Sequence, residues 1–105
     1  MAGFVRVASR SDLPERGLMA VEADGERIVL IATGEGAYYA LRDRCSHADY
    51  PLSDGEMLDD HRLECQYHGA KFDVRTGRAL ALPAIRPVKS YEVKVEGDDI
   101  LVNVG

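Results

Sequence analysis

A chain of 105 residues with 46% hydrophobic side chains and a net charge of −5 is the size of one domain. The apolar share is ordinary for a globular protein and excludes a disordered chain. The negative charge excludes nucleic acid as a natural partner, because phosphate binding needs clustered Lys and Arg. A basic face on another protein suits it better.

The N-terminus, Met1-Ala2-Gly3-Phe4-Val5-Arg6-Val7, lacks the apolar run of a signal peptide. The longest apolar run elsewhere, Ile28 to Ala32, is too short to cross a bilayer. These features lead to the expectation of a soluble monomer in the cytoplasm, with no membrane association.

Phe4-Val5-Arg6-Val7 alternates apolar and polar, as a half-buried strand does. Ser9 to Gly17 reads as a connection with room for one helical turn. Leu18 to Glu22 and Arg27 to Ile31 flank Asp24-Gly25, and such a pair between two apolar runs predicts a hairpin. Gly34-Glu35-Gly36 turns the chain into Ala37 to Leu41, another strand. Residues 48 to 61 are acidic and turn-rich, with Asp49, Asp54, Glu56, Asp59 and Asp60. They read as a solvated loop that also forms part of the surface a partner meets. His61 reads as an exposed turn residue. Leu63-Glu64 predicts a short strand, Ala70 to Val74 a longer one, and Arg75 to Arg78 a turn. Pro83 and Pro87 exclude a central strand there. Tyr91-Glu92-Val93-Lys94-Val95 alternates cleanly, and Gly97-Asp98-Asp99 turns it into a last strand, Ile100 to Val104. Many short strands with Gly turns argue an all-β sandwich or barrel. The single domain covers 1–105, with a small ligand-bearing subdomain of two loops, about 43–85, inserted in the β base.

The chemistry concentrates in Cys45-Ser46-His47 and Cys65-Gln66-Tyr67-His68, separated by seventeen residues. Both cysteines and two of the three histidines fall in this register, leaving no thiol for a disulfide, which fits a reducing compartment. Each half offers one thiolate and one imidazole. Two thiolates suit the inner iron of a [2Fe–2S] unit and two neutral imidazoles the outer one. The competing reading is structural zinc, whose ligands more often pair Cys with Cys and His with His. Two ferric ions, two sulfides and two thiolates sum to zero charge. One added electron then makes a buried anion that backbone N–H groups must offset. Those around His47 to Tyr50 and Tyr67 to Lys71 are the expected donors, with Tyr67 and Pro51 as shielding groups.

In these motifs, and in Leu52-Ser53-Asp54-Gly55, Leu63-Glu64-Cys65-Gln66-Tyr67-His68-Gly69 and Lys71-Phe72-Asp73-Val74-Arg75-Thr76-Gly77, the chain resembles the Rieske-type ferredoxins of bacterial ring-hydroxylating dioxygenases. The resemblance covers nearly the whole chain. It implies a three-sheet antiparallel β fold and one [2Fe–2S] cluster. Cys45 and Cys65 would bind the buried iron, and His47 and His68 the iron nearer solvent. A Pro83–Pro87 loop would pack over the site. The implied activity is one-electron carriage from a flavin-dependent reductase to a terminal oxygenase, without catalysis on the aromatic substrate. Respiratory members of the family carry a membrane anchor and a disulfide between the ligand loops, both missing from this sequence. They also place Ser and Tyr hydroxyls where this chain has Ala70 and Phe72, so a lower reduction potential is expected. Two other readings remain at this stage: a small Rieske-like subunit of an assimilatory nitrite reductase, and a zinc-stabilised interaction module.

Overall fold

The computed structural model describes residues 3–34, 36–44, 50–66, 69–81 and 86–104. Its centre is a hairpin. Strands β2 (Gly17–Ala23) and β3 (Glu26–Ala32) pair from Gly17↔Ala32 to Ala23↔Glu26, leaving Asp24-Gly25 as a two-residue loop. Both loop residues have positive φ, 52° and 80°. That is the type I′ arrangement, whose twist matches the flanking strands. β4 (Tyr38–Arg42) pairs with the far edge of β3, and a short strand at Ser90–Tyr91 closes this sheet.

β3 is buried on both faces, which explains its unbroken apolar run. Ile28, Leu30 and Ala32 belong to one core with Ala8, Ile100 and Val102. Val29 and Ile31 belong to another with Leu63, Phe72 and Val74. All four residues from Ile28 to Ile31 have no exposed surface. A strand with solvent on one side would alternate; one between two cores has no polar position to spare.

The first of those cores lies against an outer sheet of β1 (Phe4–Ser9) and two C-terminal strands, Val93–Glu96 and Asp99–Asn103. The second lies against a sheet formed by consecutive strands β5 (Glu56–Met57), β6 (Arg62–Glu64), β7 (Lys71–Asp73) and β8 (Ala79–Ala81). In chain order the remaining strands are β9 (Ser90–Tyr91), β10 (Val93–Glu96) and β11 (Asp99–Asn103). Every strand pairing is antiparallel. The expected all-β, three-sheet fold is therefore found.

Several local expectations need correction. Tyr91 to Val95 is not one strand: β9 pairs with β4 in the middle sheet, and β10 pairs with β11 in the outer one. The chain changes sheets at Glu92, and alternation alone does not reveal a strand that changes partners. The stretch 48 to 61 is not simply solvated. Leu52 opens a one-turn 3-10 helix, Leu52–Asp54, and is fully buried in the core shared with Val29 and Ile31. His61 is half-buried and lies just before β6, where its carbonyl accepts the Val74 N–H at 2.9 Å. The helical turn allowed for after Ser9 is present at Arg10–Asp12.

Tyr91 fastens β9 to the hairpin. Its hydroxyl donates to Glu26 Oε1 at 2.7 Å. Burial, and then the Glu26 carboxylate it bonds, raise the phenol above its ordinary value of about 10. The unfolded chain therefore loses this proton first, and folding stability should decline as pH rises past about 10. Urea titrations of wild type and Tyr91→Phe across pH 8 to 11 should show that decline in wild type and a shallower one in the variant; parallel curves would contradict the assignment.

Candidate functional site

The four candidate ligands leave the ends of β4 and β6. Cys45, His47 and His68 lie outside the described residues, as do Tyr67 and the stretch 82–85. Cys65 is described. It follows β6 directly, is 1% exposed, is in no disulfide, and belongs to the core that holds Leu52, Leu63, Ala70 and Phe72. Burial of a cysteine among apolar groups suits an inert structural residue or a metal ligand.

The backbone around Cys65 separates those alternatives. Its N–H donates to the Ala70 carbonyl at 2.7 Å, closing the second ligand stretch into a tight loop. Ala70 has no exposed surface, and its own N–H has no acceptor among the described residues. Buried backbone donors are nearly always paired. The acceptor of the Ala70 N–H lies beyond the described residues, and a sulfur belonging to a bound group is one that fits. Lys71, by contrast, starts β7 opposite Glu64, so it belongs to the sheet. The buried Cys65 and the donor set of two Cys and two His fit an iron–sulfur cluster.

Gly69 has φ +71°, and among the described residues a Cβ there would meet only Glu64 Oε2, at 3.7 Å. The positive φ by itself favours glycine here. Pro51 is half-buried beside the first ligand stretch, and Pro87 is exposed, followed by Val88 in the core.

The acidic segment separates into paired and open charges. Hydrogen bonds from the His61 backbone N–H and then the Arg62 guanidinium hold the Asp59 carboxyl down to about 2. Asp60 is held below the usual range chiefly by Arg16, at 2.8 Å, and by the Gly34 N–H at 3.0 Å. Asp54 and Glu56 are exposed and line an open concavity of about 330 Å³ with Glu64 and Gln66.

One set of residues has no counterpart in the sequence reading. Asp43, 4% exposed, accepts both the Ser53 backbone N–H and the Ser53 hydroxyl at 2.7 Å. It sits between Arg42 and Arg44, where a surface ion pair is the ordinary inference, so no local pattern marks it as buried.

Residues 3–92 match the Rieske [2Fe–2S] domain, and the chain belongs to that family. It carries a single [2Fe–2S] cluster and is an electron carrier, distinct from the catalytic oxygenases that share the domain. It is 43% identical to the ferredoxin component of biphenyl 2,3-dioxygenase from Rhodococcus jostii over 101 residues, 96% of this chain and 92% of that one. The solved ferredoxin of carbazole 1,9a-dioxygenase from Nocardioides aromaticivorans superposes with a TM-score of 0.90 at 37% identity, covering 96% of this chain and 97% of that one. A chain from the complex of reduced oxygenase and oxidized ferredoxin in carbazole 1,9a-dioxygenase matches with a TM-score of 0.88 at 29% identity, over 98% and 94% of the two chains. The zinc module and the nitrite reductase subunit are not favoured by these relationships.

Gly69→Ala should cost about 1 kcal/mol in a urea titration, the penalty for a side chain at positive φ. A loss well beyond that would mean steric exclusion in addition to the backbone penalty.

Proposed function

We propose that this ferredoxin takes single electrons from a flavin-dependent reductase and passes them to the terminal oxygenase of an aromatic-ring-hydroxylating dioxygenase, as a monomeric cytosolic carrier. Cys45 and Cys65 hold one iron of the cluster, and His47 and His68 the other. The observation that carries the reading is the fully buried Cys65, whose N–H closes on the Ala70 carbonyl, in a chain similar over nearly its full length to ferredoxin components. The cluster, when bound, supplies a site that accepts and releases one electron without a proton being obligatory.

The chain's own residues set the terms of that exchange. Cys65 keeps its sulfur away from water, and the Ala70 N–H offers a dipole to the charge that reduction adds. Neutral imidazoles at His47 and His68 leave the oxidised assembly uncharged. The exposed carboxylates of Asp54 and Glu56 give this end of the molecule a negative face, which favours a partner with Lys and Arg around its docking site. Asp59 and Asp60 contribute less, because Arg62 and Arg16 already pair with them. Among the described residues no helix is long and apolar enough to cross a membrane.

Cys65→Ser and His68→Ala should each abolish the wild-type spectrum of the dithionite-reduced protein. An unchanged electron paramagnetic resonance signal in either would remove that residue from the ligand set. Ala70 and Phe72 are fully buried and carry no hydroxyl, so the midpoint belongs toward the negative end of the Rieske range of about −150 to +300 mV. Ala70→Ser and Phe72→Tyr should raise it, and a midpoint indifferent to both would refute the argument. Stopped-flow electron transfer to the partner oxygenase should slow with salt, the Debye length being about 10 Å at 0.1 M. Asp54→Asn with Glu56→Gln should flatten that dependence, whereas Asp59→Asn should leave it nearly unchanged.

A further inference from the structure

The first ligand stretch leaves β4 at Arg42 and returns to described structure at Tyr50. Its two ends are tied by one side chain. Asp43 receives two hydrogen bonds of 2.7 Å from Ser53, one from the backbone N–H to Oδ1 and one from the hydroxyl to Oδ2. The Asp43 N–H in turn donates to the Arg27 carbonyl of β3 at 3.0 Å. A carboxylate removed from water is costly unless its oxygens are satisfied by good donors. Here both are, and both donors come from the residue that ends the first ligand stretch.

The same turn reaches the second stretch. Leu52, fully buried, shares a core with Cys65 and Ala70. Gly55 ends the 3-10 turn with its N–H on the Leu52 carbonyl at 2.9 Å. A Cβ on Gly55 would collide with the carbonyl oxygen of Glu64, the residue before Cys65. One four-residue turn thus touches both ligand stretches: Ser53 closes the first, and Leu52 and Gly55 press on the approach to the second. The chain has only two cysteines, both assigned to the metal, so no disulfide is available for this task.

We propose that the Leu52–Gly55 turn is a non-covalent latch, with Asp43 and Ser53 as positioning residues, that holds the two ligand stretches at a fixed separation and so slows cluster loss. It rests on the ligand assignment given above. The latch acts through loop entropy: opening the Asp43–Ser53 bonds frees the stretch that carries Cys45 and His47, and each ligand then leaves its iron more often.

The test uses purified cluster-loaded protein and follows loss of visible absorbance in excess iron chelator. Asp43→Asn and Ser53→Ala should lose the cluster at least about tenfold faster than wild type, the effect expected for a charge-assisted bond. The double variant should be no faster than the faster single, because the hydroxyl bond that Ser53→Ala removes is one of the two that Asp43→Asn weakens. Ser53→Thr, which keeps the hydroxyl, should stay within about twofold of wild type. Asp99→Asn, which breaks the exposed Arg6 pair in the outer sheet, should do the same. In all of them the reduced-state resonance line shape should be retained. Asp43→Asn and Ser53→Ala losing cluster at the rate of Asp99→Asn would overturn the latch, as would Ser53→Thr behaving like Ser53→Ala. Cys65→Ser separates the two levels of the argument. A wild-type spectrum in that variant contradicts the ligand assignment, whereas an altered one with slow cluster loss in Ser53→Ala contradicts the latch alone.

Discussion

Strand β3 is packed from both sides, with a separate core between it and each of the two flanking sheets. Its even residues, Ile28 and Leu30, serve the core toward the N- and C-terminal strands; its odd residues, Val29 and Ile31, serve the core toward the ligand-bearing sheet. A polar group at any of these positions would be buried without water on either face, a penalty no neighbour is placed to relieve. The consequence for function is mechanical. Leu52, Leu63, Cys65 and Phe72 are seated on the same core as Val29 and Ile31, so the residues flanking the ligand stretches are built on a close-packed core.

Charge is arranged with equal economy. The chain has 18 acidic and 13 Lys or Arg residues, yet many acids near the site are already committed. Asp43 is spent on Ser53, Asp59 on Arg62, Asp60 on Arg16 and Asp73 on Arg75. Among the described residues of this segment, Asp54 and Glu56 keep exposed carboxylates; they lie between the two ligand stretches in sequence and border one concavity. An electron carrier gains from a small, hydrated, charged contact with its partner, because such encounters form fast and release fast. The inner environment is the opposite: Cys65, Ala70 and Phe72 are sealed from solvent, so the few dipoles that remain there weigh heavily.

Much of this was legible in the residues. Asp24-Gly25 announced its hairpin because only turn types with positive φ fit a two-residue connection. The register of two Cys and two His announced the metal chemistry, because no other arrangement in the chain brings soft and borderline donors together. What escaped was long-range. Leu52 sits in an acidic, turn-rich context, and only the third sheet folding back onto β3 shows that it is core. Glu92 lies within a flawless alternation, and the change of sheet there depends on where β4 and β11 stand. Asp43 looks like a solvated charge between two arginines until Ser53, ten positions on, is brought against it. Each of these outcomes is set by a partner distant in sequence, which periodicity cannot encode.

The account stands on one chain holding one mixed-ligand cluster that stores a single electron. Hyperfine spectroscopy on the reduced protein, with histidine nitrogens isotopically labelled, tests it most directly. The account requires one unpaired spin per chain, coupled to two histidine nitrogens. A spin count near one per two chains, or a reduced signal with no nitrogen coupling, would mean a cluster bridged between chains by cysteines alone, and the assignment of His47 and His68 would be wrong.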